Sequence, residues 1–97
     1  MKTLDEIKQI LTKHKKGLEE KYRVIEIGIF GSYVKREQKA ASDIDILVEF
    51  EKPVSLLNIV SLENYLSDIL GIKVDVVPRK NIREELKDSI LKEAIPV

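Results

Sequence analysis

Apolar residues recur at intervals of three and four through Leu4, Ile7, Leu11, His14 and Leu18, with Ile10 widening the stripe, and this spacing predicts an amphipathic helix at the start of the chain. Thr3-Leu4-Asp5-Glu6 has the order of a capping box and places the start of that helix. Gly17 is expected to break or bend it, with one more turn over Leu18 to Tyr22. His14 lies on or beside the stripe without an acidic neighbour in register, which reads as a partly buried or edge residue rather than a catalytic one. The pattern then changes. Val24 to Phe30, VIEIGIF, is a β-branched strand with Glu26 and Gly28 on one face and Val24 absent from it, and Gly28 permits close approach of a neighbouring element.

A second strand begins near Asp43 and is closed by Lys52-Pro53; between the two strands, Tyr33 to Glu37 is expected to form a short helix and Gln38 to Ser42 a loop. Ser55 is the expected N-cap of a helix reaching Leu70 and closed by Gly71, with Leu56, Ile59, Leu62, Leu66 and Ile69 on its core face and Tyr65 at the core edge. Ile72 to Val77 is a third strand, in which Val74 and Val76 face one way and Lys73, Asp75 and Val77 the other, and Pro78 stops it. Asn81 to Glu84 resembles a second cap, opening a helix to about Ala94 whose Ile82, Leu86, Ile90 and Ala94 share a face, with Pro96 ending it. The order of elements predicts a small α/β (α+β) domain, a mixed sheet packed against helices. With 97 residues and no repeat or linker, residues 1–97 are expected to form one domain.

The candidate chemistry lies between Phe30 and Phe50, which reads FGSYVKREQKAASDIDILVEF. Strand alternation puts Asp43 and Asp45 on one face and Ile44, Ile46 and Val48 on the other. Two carboxylates so close call for a cation, and Mg²⁺ commonly takes one or two protein carboxylates with substrate phosphates completing its shell. Gly31 and Ser32, directly after a strand, offer a close backbone approach and a hydroxyl to an anion. Lys35, Arg36 and Lys39 make the following segment basic, Lys35 being the favoured functional residue, although a charge run is more often simply solvated. Asp75 among valines reads either as a strand-edge residue facing water or as a third carboxylate for the pair.

Composition narrows the partners. The 17 basic and 17 acidic residues cancel and no basic stripe stands out, so long nucleic acid is not an expected partner. Without cysteine, disulfides and thiolate metal sites are excluded, and one histidine cannot make a zinc site alone. No apolar run approaches membrane-spanning length, so no membrane association and a cytoplasmic location are expected. So small a domain is expected to leave the holding of an acceptor substrate to another molecule or to a second copy of the chain.

Phe30-Gly31-Ser32, ten residues, then Asp43 and Asp45 in D-x-D resembles the signature of the minimal nucleotidyltransferases of the DNA polymerase β superfamily, and VDVV at Val74 to Val77 sets Asp75 where that family has a third acidic residue. The chain departs from the family pattern at Tyr33-Val34-Lys35-Arg36, where lysine stands in place of the usual arginine. The resemblance implies a polymerase β-like nucleotidyltransferase fold, two Mg²⁺ ions held by Asp43, Asp45 and Asp75, and phosphates of ATP or another nucleoside triphosphate on Gly31, Ser32, Lys35 and Ser42. Chains of this size resemble the MNT antitoxins encoded beside HEPN toxins, which implies transfer of AMP to a tyrosine hydroxyl of a HEPN partner. Two other readings stay open: an antitoxin that neutralises by binding alone, and an interaction module in which Asp43 and Asp45 merely solvate an edge strand.

Overall fold

The computed structural model describes residues 3–31 and 43–97. Helix α1, Leu4–Tyr22, opens on the expected capping box: the Glu6 N–H donates to Thr3 Oγ1 at 3.2 Å, and the Thr3 N–H to Glu6 Oε1 at 3.2 Å. It runs past Gly17 without the expected break. A solvent-facing glycine costs a helix only about 1 kcal/mol, whereas Leu11 before it and Leu18 and Tyr22 after it are all buried on one stripe. His14 has the structural role expected of it, its Nδ1–H donating to the Ile10 carbonyl at 2.9 Å and its ring standing edge-on to Tyr65. The helix stops at Arg23, which adopts the left-handed conformation and donates its N–H to the Leu18 carbonyl.

Strand β1, Val24–Phe30, carries a bulge between Val24 and Glu26 that resets the alternation of its side chains. Val24, Ile27 and Ile29 therefore enter the core together, while Glu26 and Gly28 occupy the opposite face, as expected. Strand β2, Ile44–Phe50, pairs antiparallel with β1, and β3, Val74–Pro78, pairs parallel with β2. A fourth strand, β4, Ile95–Pro96, pairs antiparallel with β1 and gives the order β3-β2-β1-β4. The sheet is mixed, as the sequence implied, but Pro96 joins it rather than merely ending a helix.

Helix α2, Leu56–Leu70, is capped by the Ser55 hydroxyl, which accepts the Asn58 N–H at 3.2 Å, and ends at Gly71 with φ 67°. Its buried residues Leu62, Leu66 and Leu70 join Ile7, Leu11 and Leu18 of α1 over the inner face of the sheet, formed by Ile27, Ile29, Ile44, Ile46, Val48, Val74 and Val76. Ile59 and Ile69 are partly buried against this core. Leu56, expected on the same stripe, is 74% exposed, because the packed face ends at Ile59, about one turn further into the helix. The expected cap at Asn81 is also absent: a 3₁₀ turn over Arg79–Asn81 takes up that residue, and helix α3, Glu84–Glu93, starts after Arg83 with no side-chain cap. No described helix is long and apolar enough to cross a membrane.

β3 is an edge strand, and an open edge is usually blunted by side chains or a covering element. Here α2 supplies the cover. Ser67 Oγ accepts the Val74 N–H at 2.9 Å, and Glu63 Oε2, one turn earlier, accepts the Val76 N–H at 2.9 Å. These two bonds hold the backbone on either side of Asp75. Glu63→Ala and Ser67→Ala are each expected to destabilise the protein by about 1 kcal/mol, the scale of one lost backbone partner. Urea unfolding checks this, and unchanged midpoints in both variants would show that the edge needs no such cover.

Candidate active site

The Ile44 N–H donates to the Lys73 carbonyl at 3.0 Å, and from there the parallel ladder sets Ile44 opposite Val74 and Asp45 opposite Asp75. Ile44 and Val74 point into the core, so Asp45 and Asp75 stand side by side on the outer face. On the other side of β2, Asp45 is paired with Phe30, the last residue of β1. Of the two sequence readings of Asp75, its strand is an edge strand, yet its carboxylate belongs to the same face as the pair.

Gly31 follows Phe30 with φ 82°, a conformation that L side chains rarely adopt. A Cβ placed there would overlap the Asp45 carboxylate, with Asp45 Cγ only 3.1 Å away. The turn backbone thus lies directly against the carboxylate. A glycine is required both by the dihedral angle and by the contact.

Burial pushes the Asp45 carboxyl above its ordinary value, and the charges of Asp75 and then Asp43 push it further in the same direction. Asp45 therefore lies within electrostatic reach of both Asp75 and Asp43. Asp43 has a cationic neighbour, its Oδ2 lying 3.8 Å from Lys73 Nζ. The sequence reading missed Lys73 as a partner, although alternation had already put it on the Asp75 face, and parallel pairing is what brings it to Asp43. Among the described residues, no three carboxylate or imidazole groups are gathered tightly enough to enclose an ion as they stand. By donor chemistry and unmet negative charge at Asp45, the residues nevertheless fit a hard divalent cation such as Mg²⁺. Ser32, Lys35, Arg36 and Ser42 lie outside the described residues.

The mixed sheet thus sets carboxylates at the start of β2 and on the neighbouring β3 beside a glycine turn at the end of β1. The family profile of the nucleotidyltransferase domain matches residues 11–97. A Methanocaldococcus jannaschii protein provisionally named protein adenylyltransferase is 57% identical over 96 residues, covering 98% of each chain. Protein adenylyltransferase MntA from Thermococcus cleftensis is 48% identical over 97 residues, covering 100% of this chain and 98% of its own. Among solved structures, one provisionally described as a minimal nucleotidyltransferase superposes with a TM-score of 0.76 at 29% identity, covering 94% of this chain and 95% of that one. The fold also matches a chain from the complex of a tri-AMPylated Shewanella oneidensis HEPN toxin with MNT antitoxin, with a TM-score of 0.68 at 22% identity over 93% of this chain and 70% of that one. The chain belongs to the nucleotidyltransferase domain family, as a minimal nucleotidyltransferase.

Proposed function

We propose that the chain is a protein adenylyltransferase that moves AMP from ATP to a tyrosine hydroxyl of a HEPN toxin and so acts as its antitoxin. The observation that carries this reading is the in-register pair Asp45 and Asp75, with Asp43 in electrostatic reach, beside Gly31. Near-complete overlap with relatives named protein adenylyltransferase supports the reaction type. The partner is supported more loosely, by the fold shared with a chain of the antitoxin complex.

Asp43, Asp45 and Asp75 would hold Mg²⁺, which when bound supplies Lewis-acid charge to the attacking hydroxyl and to the leaving pyrophosphate. Asp75, on the outer strand, accepts the proton of the acceptor hydroxyl as its oxygen bonds to the α-phosphorus. The bond from that phosphorus to the bridging oxygen breaks, and pyrophosphate leaves. Gly31 lets the turn backbone approach the phosphates, with Ser32, Lys35 and Ser42 as the further contacts read from the sequence. The products are AMP joined to the acceptor oxygen and pyrophosphate carrying the displaced electron pair.

The test is incubation of the protein with α-labelled ATP, Mg²⁺ and the HEPN partner, followed by detection of label on the partner. Label is expected with the wild type and is lost with Asp43→Asn combined with Asp45→Asn. An unlabelled partner in the wild-type reaction would overturn the proposal. A double variant that still neutralises the toxin would show protection by binding alone.

A further inference from the structure

β2, α2 and β3 form one parallel crossover unit, and its two ends differ. The carboxylate row of Asp45 and Asp75 lies toward the amino ends of the two strands. In sheets built from such units, the crevice beyond the carboxyl ends is the common place for a ligand. Here that crevice is open. A cavity of about 610 Å³ lies beyond the ends of β2 and β3, with Phe50, Val54, Ile59 and Pro78 among its apolar walls. This volume is in the middle of the range of small-molecule sites. Along β2, Asp45 and Phe50 are about 17 Å apart at about 3.4 Å per residue, so the cavity and the carboxylate row are separate places.

The rim of the cavity is charged, and its charges do not cancel. Lys52, Arg79, Lys80 and Lys87 line it, against the carboxylates of Glu49 and Glu51. Both carboxylates are already paired: Glu49 with Arg79 at 2.9 Å, and Glu51 with Arg23 at 3.9 Å. Among the described residues, Lys52, Lys80 and Lys87 have no ion-pair partner. Three uncompensated positive charges therefore share one cavity in a chain whose charges cancel overall. They come from the loop before α2, the 3₁₀ turn and α3, so no basic run in the sequence announces them. The first turn of α2, which starts at this end of the sheet, adds no acidic residue to offset them. Like charges around one opening favour an anion between them.

We infer that this crevice is a second binding site, for a small phosphorylated molecule with an apolar or aromatic body. The charge selects the head group. Lysine serves phosphate as a point charge, whereas recognition of a carboxylate favours the planar fork of arginine, and here the arginine is taken up by Glu49. A phosphate monoester carries about −1.5 to −2 at neutral pH, closer than a single carboxylate to what the three lysines can neutralise. The walls select the rest of the ligand: Phe50, Val54, Ile59 and Pro78 offer contact to an apolar body and no fixed partner to a polar one. The site does not depend on the nucleotidyl-transfer reading, which stands if this inference fails.

Calorimetric titration in EDTA with 1-naphthyl phosphate, inorganic phosphate and 1-naphthol tests the assignment. The wild type is expected to bind one naphthyl phosphate per chain, about tenfold or more tightly than either of the others, because each of those supplies only half of the contacts. Lys52 and Lys80 are exposed, so Lys52→Ala combined with Lys80→Ala should leave the fold intact and weaken naphthyl phosphate binding by about tenfold. Asp43→Asn combined with Asp45→Asn should leave this binding unchanged, since those carboxylates are at the other end of the strand. Inorganic phosphate bound as tightly as naphthyl phosphate, or a lysine double variant with unchanged affinity, would overturn the site. So would a wild type that binds none of the three probes, or binding abolished by the aspartate variant.

Discussion

Asp45→Asn is expected to slow AMP transfer by about a hundredfold to a thousandfold, the range for loss of one group that stabilises developing charge, while making the metal-free protein more stable. Both effects have one cause. In the folded chain Asp45 is half-buried and faces the charges of Asp75 and Asp43, so its carboxyl holds a proton more tightly than it does in the unfolded chain. The proton-linked stability from this group is fully present below its ordinary value of 3.8 and is lost as pH rises through the raised folded value. At neutral pH the wild type therefore carries an ionised, crowded carboxylate that asparagine does not. The advantage of the variant should be present at pH 7 in EDTA and shrink as pH falls toward 4. Added Mg²⁺ should reverse the order, stabilising the wild type and leaving the variant unmoved, since a ligand stabilises only the state that binds it. Thermal unfolding at the two pH values, with EDTA and with Mg²⁺, measures all of this. A variant less stable than the wild type in EDTA at pH 7 would contradict the account of the carboxylate row.

The parts of this site readable from the sequence are those set by neighbours in the chain. Alternation alone puts Asp43 and Asp45 on one side, and a glycine directly after a β-branched strand already marks Gly31 as a turn. The place of Asp75 was not decidable in that way, because it depends on β2 and β3 pairing in parallel across the 15 residues of α2. The same non-local pairing brings Lys73 to Asp43 and Arg79 to Glu49. β4 escaped notice because two residues have no periodicity, and one of them is a proline. Gly17 misled in the other direction: a local helix breaker yielded to the packing of Leu18 and Tyr22. The bulge at Val24 is the instructive middle case. The sequence reading kept Val24 off the face of Glu26 and Gly28, and the irregular register between Val24 and Glu26 is what keeps it off.

Gly31→Ala should impair both stability and transfer, and its dependence on Asp45 is the stronger test of the geometry. Holding a non-glycine residue at φ 82° costs about 1–2 kcal/mol in itself. The added methyl also meets the Asp45 carboxylate, and relief requires the turn or the aspartate to move. Either movement misplaces a reacting group, and displacements of about 1 Å are enough to cost about a hundredfold in rate. Removing the carboxylate with Asp45→Ala eliminates the overlap with it and leaves the dihedral cost and a tight 3.3 Å approach to the Cβ of residue 45. In a double-mutant cycle, Gly31→Ala should therefore destabilise the Asp45→Ala protein less than it destabilises the wild type, the non-additivity expected of residues in contact. Urea unfolding of the four proteins gives the coupling directly. Additive losses would mean that the turn does not press on the carboxylate, and the close approach of the Gly31 backbone to the acidic row would have to be abandoned.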